Sequence, residues 1–261
     1  REAIATAFDR ERFWGVLVEA AHATGATRAP WAREVLIGVL SHEHPKVVRA
    51  AAEALGNFRD AEVAEALVAL AGRHASYFVR AAALTALGKT RDARAFDVLV
   101  AATRERSWNG VIEAGALRGL AELADARAMP VLVDACRPEG NEGARRAAIA
   151  SIARLATLVE SERTRGVDAV AQHLDDEMFM VALEATAAAE ALGDDRLLPE
   201  LDRVGQQAFD GRLRRNALEA AIRIRKSAKI PAQVTALRDD IDELREQHRR
   251  LQEKIETIAR T

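Results

Sequence analysis

The chain has 261 residues, of which 49% are hydrophobic, 30% charged and only 4% aromatic, and its net charge is −2. This helix-favouring mixture excludes a disordered chain and argues against a β-sandwich, and the near-neutral charge gives no global field that would select nucleic acid or membrane. The single cysteine, Cys136, excludes an internal disulfide framework and favours a reducing compartment such as the cytoplasm. No apolar run reaches the roughly 18 residues that a membrane-spanning helix needs, so no membrane span is predicted.

One unit recurs along most of the chain. Residues 77–92 show it best: they predict an alanine-rich helix, a Leu-Gly stop and an aspartate that starts the next helix. The closing positions of the units recur at intervals of 31, 32, 33, 32 and 40 residues: Thr24-Gly25, Leu55-Gly56, Leu87-Gly88, Leu120-Ala121, Ile152-Ala153 and Leu192-Gly193. Periods of this length, with two helices in each unit, predict an all-α, right-handed α-solenoid of about six to seven helix pairs over residues 1–229.

Two local signals mark the helix ends in each unit. Aspartate is a good N-cap because its carboxylate accepts the unpaired backbone N–H groups of the first turn. It is predicted to open the first helices of four units, at Asp60, Asp92, Asp125 and Asp195. Glycine directly after the last leucine suits a left-handed residue just past the helix end, so the closing glycines are predicted to adopt that conformation.

The repeated segment resembles a known consensus. Residues 79–88 (VRAAALTALG), followed by Asp92-Ala-Arg, resemble the HEAT repeat in the subtype shared with phycobilin-lyase-like repeats. The resemblance covers residues 10–225. It implies a stacked scaffold and is nearly silent on activity.

A narrower resemblance is carried by three segments in order: residues 13–16 (FWGV), 76–84 (SYFVRAAAL) and 107–120 (SWNGVIEAGALRGL). They are similar to the C-terminal HEAT-type domain of bacterial zinc aminopeptidases of the aminopeptidase N family. That resemblance implies a separate upstream catalytic domain that holds zinc, against which this domain would pack and enclose the substrate chamber. None of that family's catalytic motif is present, so no catalytic residue and no cofactor is predicted here. Because the chain starts at Arg1 within a helical pattern, we interpret it as a piece of a longer or processed protein.

Two other functions compete with the scaffold of an aminopeptidase. One is a free-standing HEAT adaptor that binds a protein partner on its concave face. The other is a repeat enzyme, such as a bilin lyase or a HEAT-type hydroxylase. It would need iron-liganding His-Glu pairs within helices or an acidic chromophore site, and the sequence shows neither. The only His/Glu cluster, His42-Glu43-His44, is followed by Pro45-Lys46, whereas a zinc site needs two imidazoles four residues apart on one helix face. The cluster is therefore predicted to be a turn.

A single cysteine and a basic segment are two further candidate sites. Cys136 lies at helical spacing from Leu132, which predicts a small buried hydrophobe rather than a nucleophile. The densest basic segment contains no interleaved aromatic residue on which bases could stack, so we interpret it as a solvated helix face and do not predict nucleic-acid binding. Its residues are Arg212, Arg214, Arg215, Arg223, Arg225, Lys226 and Lys229.

Aromatic residues occur at equivalent places just before the second helix of three units. They are Trp14, Tyr77 and Trp108. One interpretation is an aromatic edge along the solenoid that binds a partner. The alternative is that each ring plugs the open end of its own helix pair.

After Ile222 the repeat pattern ends and another period begins. Apolar residues in steps of three and four predict a heptad-patterned helix within residues 230–261. The predicted seam residues are Val234, Leu237, Ile241, Leu244, His248, Leu251, Ile255 and Ile258. Two apolar positions per heptad make a narrow stripe, which favours a weak parallel homodimer through 234–258 that protonation of His248 would weaken. Folding back as a cap on the last repeat is the alternative.

Overall fold

The structure is a computed structural model that describes residues 2–227, and every regular element in that range is a helix. The α-helices are α1 (Glu2–Arg10), α2 (Trp14–Ala26), α3 (Pro30–Val39), α4 (Pro45–Leu55), α5 (Ala61–Arg73), α6 (Tyr77–Lys89), α7 (Ala95–Ala102), α8 (Val111–Leu123), α9 (Ala128–Asp134), α10 (Glu142–Leu158), α11 (Arg163–Ala171), α12 (Phe179–Leu192), α13 (Leu198–Gln207) and α14 (211–227). Short 3-10 turns lie at Trp108–Gly110, Glu160–Glu162 and Asp195–Leu197. None of the helices described here is both long enough and apolar enough to cross a bilayer.

The helices follow one another as pairs, each an odd-numbered helix and then an even-numbered one. The even-numbered helices α2 to α12 pack side by side in chain order, and we call them the inner layer. The odd-numbered helices α1 to α11 contact this layer, each through the even-numbered helix of its own pair. This arrangement confirms the predicted all-α solenoid, with seven pairs in the part of the chain that the structure describes.

The core extends through the whole stack because each pair buries its apolar face against the next. The leucines that close successive units, Leu55, Leu87 and Leu120, are each 0% exposed. Small residues accompany them: Ala51, Ala83 and Ala116 are also 0% exposed, which lets neighbouring helices approach closely. The repeat frame read from the sequence therefore identifies the buried positions correctly.

Aspartate capping is confirmed at one of the four predicted places: Asp60 is the N-cap of α5 and accepts the backbone N–H of Glu62 at 2.9 Å. Asp92 and Asp125 also accept the backbone N–H two residues ahead at 2.9 Å, but they do so in the turns before α7 and α9, whose N-caps are Arg94 and Arg127. At the fourth place the prediction of Asp195 as the cap is wrong, because the cap is Asp194. Asp194 has the extended backbone that a cap requires, whereas Asp195 already lies in the 3-10 turn that Asp194 opens.

The closing glycines are not generally left-handed. Gly56 has φ −60° and Gly88 lies inside α6, so only Gly193, with φ 61°, fits the prediction. Gly88 is needed for packing instead. A Cβ added there would lie 1.9 Å from the carbonyl oxygen of Gly119, and one added at Gly119 would lie 2.4 Å from that of Leu84. The backbones of α6 and α8 are therefore in direct contact.

Replacing Gly88 with alanine is expected to destabilise the protein by about 1–3 kcal/mol, because the new methyl group forces the two helix backbones apart. Gly72→Ala is the matched control: Gly72 also lies in a helix, but a Cβ there meets nothing within 4 Å. Removing a helical glycine without a clash should stabilise the fold slightly. Thermal unfolding followed by circular dichroism compares the two. Equal melting temperatures would contradict the close approach of α6 and α8.

Arginines at equivalent places in α6 and α10 tie each inner helix to the outer helix before it. Nε of Arg80 donates to the carbonyl of Ala71, and Nε of Arg145 donates to the carbonyl of Cys136 at 2.9 Å, in both cases nine residues back along the chain. Arg145 also pairs with Asp176 of the next unit, with a nitrogen-to-oxygen distance of 2.5 Å, and is only 2% exposed. Arg80 likewise pairs with Glu105 of the next unit at 2.5 Å, so each of these side chains connects two successive pairs.

Candidate functional site

The cluster His42-Glu43-His44 is the turn that precedes α4, as predicted. Nδ1 of His42 accepts the backbone N–H of His44 at 3.0 Å, and Nδ1 of His44 accepts that of Lys46 at 3.3 Å, which caps α4. Each imidazole thus uses one ring nitrogen for the turn. Across residues 2–227 no group of three or more His, Cys, Asp or Glu side chains is placed to hold a metal ion.

Cys136 is a buried small residue, as predicted. It is 2% exposed, and its Sγ lies 3.5 Å from the carbonyl oxygen of Leu132 one turn earlier. Burial raises the pKa of the Cys136 thiol to about 12, an effect that the nearby Arg145 guanidinium only partly opposes. Because the thiolate is the reactive form, this cysteine is a poor nucleophile at neutral pH.

The three aromatic residues at equivalent places do not share one environment. Trp14 is half-buried, stacks on His44 with ring centroids 5.4 Å apart, and has Nζ of Lys46 3.9 Å from its ring centre. Tyr77 and Trp108 are 45% and 68% exposed. The ring of Trp14 thus lies against residues of the next helix pair, while Tyr77 and Trp108 remain accessible, and both interpretations of the three aromatic residues stay predictions.

A groove of about 700 Å³ crosses the inner layer from α4 to α12. Six alanines line it and form its floor: Ala81, Ala82, Ala86, Ala114, Ala147 and Ala150. Most of them are buried, and their side chains are short. Six charged side chains also line it: Arg49, Glu53, Lys89, Arg118, Arg146 and Glu184. The remaining lining residues are Phe78, Thr85, Asn109, Val111 and Gly143. A shallow floor of small residues between longer polar ones can accept an extended chain.

None of the residues that line this groove was predicted as a site from the sequence, and Phe78 is the aromatic one among them. Phe78 is 53% exposed although it directly precedes the buried Val79. With Ala82, Thr85 and Lys89 it forms a stripe along α6 in steps of four, three and four residues, and all four side chains line the groove. Such a stripe on the face opposite the buried residues could have indicated the surface of the inner layer.

Three of the six residues of the basic segment that the structure describes are engaged with carboxylates. Three arginines form ion pairs with acidic residues of the same or a neighbouring element: Arg212 with Asp210, Arg223 with Glu190 and Arg225 with Asp202. Arg212 also lies 4.4 Å from the ring centre of Phe179. This pairing supports a solvated helix face rather than a surface for nucleic acid. The last member, Lys229, lies outside the described residues.

The predicted heptad helix also lies outside the described residues. This concerns the boundary at residue 229, the segment 230–261 and the seam residues Val234 to Ile258. The division into two domains, the weak homodimer and the place of His248 in its seam therefore stay predictions.

Solved structures are similar to this chain at the level of the fold. The complex of CpcE and CpcF of phycocyanin lyase from Nostoc sp. PCC7120 is 22% identical, with 72% of this chain and 75% of that chain covered and a TM-score of 0.49. Human deoxyhypusine hydroxylase in complex with glycerol is 21% identical, with 86% and 83% covered and a TM-score of 0.41. Computationally designed armadillo repeat proteins for modular peptide recognition are 20% identical, with 72% and 98% covered and a TM-score of 0.44. Similarity this distant carries no argument about function.

No curated protein sequence matches the chain. The family described as HEAT repeats matches three overlapping segments, residues 2–82, 34–116 and 73–153. Together these run from residue 2 to residue 153, more than half of the 261 residues. The aminopeptidase resemblance gains no support from these comparisons and stays a prediction. The repeat frame, the stacked helix pairs and the family match agree, and the chain belongs to the HEAT-repeat family.

Proposed function

We propose that this chain is a non-catalytic scaffold that binds an extended segment of a protein partner in the groove of the inner layer. The observation that carries this proposal is the groove itself, with its alanine floor and its exposed charged and aromatic side chains. Its walls come from five successive inner helices, so a single extended segment would contact all of them. This geometry matches the free-standing adaptor among the functions weighed from the sequence.

The groove has the length of a short peptide. Neighbouring helix axes lie about 8–10 Å apart, so the four steps from α4 to α12 span about 32–40 Å. An extended chain advances about 3.3 Å per residue, which gives a segment of about 10–12 residues. The exposed rings of Tyr77 and Trp108 lie next in the chain to Phe78 and Asn109, which line the groove. Tyr77 begins α6 and Trp108 lies just before α8, so both would border the segment where it crosses these two helices.

The narrower aminopeptidase interpretation changes the partner. In it, this domain would pack against a linked catalytic domain that holds zinc. That interpretation rests on the sequence resemblance alone. The homodimer through residues 234–258 is independent of both, because it would use a segment beyond the groove.

Filling the groove tests the proposal. Ala82 is half-buried in α6 and lines the groove, so Ala82→Trp places a large ring across its floor. Peptides of about 12 residues are selected from a random library displayed on phage, and their affinities are measured by calorimetry. We expect Ala82→Trp to weaken the selected peptides by about tenfold or more, because steric exclusion removes the contacts that the floor makes.

The matched control is Ala101→Trp. Ala101 is exposed on the outer helix α7 and is not among the residues that line the groove, so the same substitution there should leave the affinities unchanged. Circular dichroism confirms that both variants are folded. Peptides that bind both variants as tightly as the parent would overturn the proposed function, and so would a selection that yields no binder.

A further inference from the structure

The charges that line the groove are not evenly compensated. Its carboxylates, Glu53 and Glu184, are both engaged: Glu53 lies 3.5 Å from Nε of Arg49, and Glu184 lies 3.3 Å from a terminal nitrogen of Arg146. The positive side chains that remain are Lys89 and Arg118, both exposed. Neither has an ion-pair or hydrogen-bond partner among residues 2–227. The groove therefore carries two uncompensated positive charges.

The two cations lie on neighbouring helices at the tightest contact in the inner layer. Lys89 ends α6 and Arg118 lies in α8, and these are the helices whose backbones touch at Gly88 and Gly119. The stem of Lys89 rests over Gly56, where an added Cβ would be 3.1 Å from its Cδ. This contact places the aliphatic stem against the end of α4 while the side chain as a whole stays exposed, as is usual for long basic side chains.

We propose that the segment bound in the groove is acidic, with carboxylates that pair with Lys89 and Arg118 and an apolar side chain that packs on Phe78. This inference rests on the proposed function and specifies the chemistry of its ligand. Helices about 8–10 Å apart are bridged by about three residues of extended chain, so two acidic residues at that separation reach both cations. Phe78 lies in the same stripe of α6 as Lys89 and gives the apolar contact.

Charge complementarity favours a peptide over a nucleic acid. The phosphodiester backbone of a nucleic acid carries a negative charge on every nucleotide, so it would be repelled by Glu53 and Glu184 along the groove. A peptide can place carboxylates opposite Lys89 and Arg118 and uncharged residues elsewhere. Pairing of this kind sets specificity and association rate as well as affinity.

The test uses the peptides selected in the previous experiment whose binding Ala82→Trp abolishes. We expect these groove-dependent peptides to be enriched in Asp and Glu. Their affinities for the full chain should fall by about tenfold or more in Lys89→Glu/Arg118→Glu, because attraction becomes repulsion. They should fall less in Lys89→Gln/Arg118→Gln, which only removes the charge. Asn- and Gln-substituted versions of the same peptides should bind weakly to the parent chain.

The matched control reverses two exposed arginines that do not line the groove, Arg59→Glu/Arg104→Glu, and should change the affinities by less than about twofold. Groove-dependent peptides that lack acidic residues, or that bind the Lys89→Glu/Arg118→Glu variant unchanged, would overturn this inference and leave the proposed function intact. Peptides indifferent to Ala82→Trp would overturn the proposed function as well. A single-stranded oligonucleotide that displaces an acidic peptide at a lower concentration than the free peptide does would overturn the inference in favour of nucleic acid.

Discussion

Replacing Leu87 with aspartate is expected to unfold the middle of the solenoid. Leu87 is 0% exposed in α6, a helix that packs against both α4 and α8. A buried charge without a partner costs several kcal/mol, which is a large fraction of the roughly 5–15 kcal/mol that stabilises a typical fold. Urea unfolding at neutral pH, followed by circular dichroism, should show a much lower midpoint or an early transition for the central repeats.

The control for this change is the same substitution at an exposed leucine. Leu218 is 41% exposed in α14 and lies against Gly205, so Leu218→Asp should lower the free energy of unfolding by only about 1–2 kcal/mol, clearly less than the change at Leu87. Equal urea midpoints for the two variants would contradict the burial of Leu87. They would also mean that the 32-residue frame assigns the wrong residues to the interfaces between units.

The fold could be predicted because stacking imposes the same requirement on every unit. The interval of 31 to 33 residues fixes where the closing leucine must fall, and Leu55, Leu87 and Leu120 are all buried there. The Asp60 cap follows from equally local chemistry, since the carboxylate and the N–H that it binds are two residues apart. Neither signal depends on knowing which distant residues meet.

The role of the glycines could not be predicted in the same way. A left-handed helix end and a close helix contact both require glycine, so the residue type does not distinguish them. Gly193 has positive φ, whereas Gly88 has Gly119 of the next inner helix against it. The partner in that contact lies in another unit, and its identity follows only from how far apart the two helices pack.

The environment of the candidate site residues also could not be predicted from their places in the repeat. Trp14 and Trp108 occupy equivalent places in the sequence, yet His44 and Lys46 cover the ring of Trp14 while Trp108 is 68% exposed. Equivalent positions in a repeat have the same place on the backbone. The residues that contact each side chain come from the next unit and differ from one unit to another. The two uncompensated cations of the groove could be recognised only once the ion pairs of their neighbours were known.

Breaking the buried ion pair of Arg145 is expected to cost about 3–5 kcal/mol, because the Asp176 carboxylate is left buried without its main partner. The side chains of Arg145 and Asp176 are 3% and 10% exposed. Arg145→Met keeps most of the packing of the stem and removes the charge. The control is Arg154→Met, which breaks the more exposed pair with Glu122 and should cost about 1 kcal/mol or less. Urea midpoints at pH 7 compare both variants with the parent.

The loss of stability caused by Arg145→Met is expected to be smaller at acidic pH. Burial raises the pKa of Asp176, but the backbone N–H of Met178, the Arg145 guanidinium and His173 outweigh it, so this pKa lies below the usual aspartate value. The stabilisation that results is fully present above the unfolded-state pKa of about 3.9 and is lost as the pH falls through the folded-state pKa. Without Arg145 the pKa of Asp176 rises, and the variant has less stability to lose. The difference in urea midpoint between parent and variant should therefore be larger at pH 7 than at pH 3. A difference that is the same at both pH values would show that Asp176 does not depend on Arg145 for its charge.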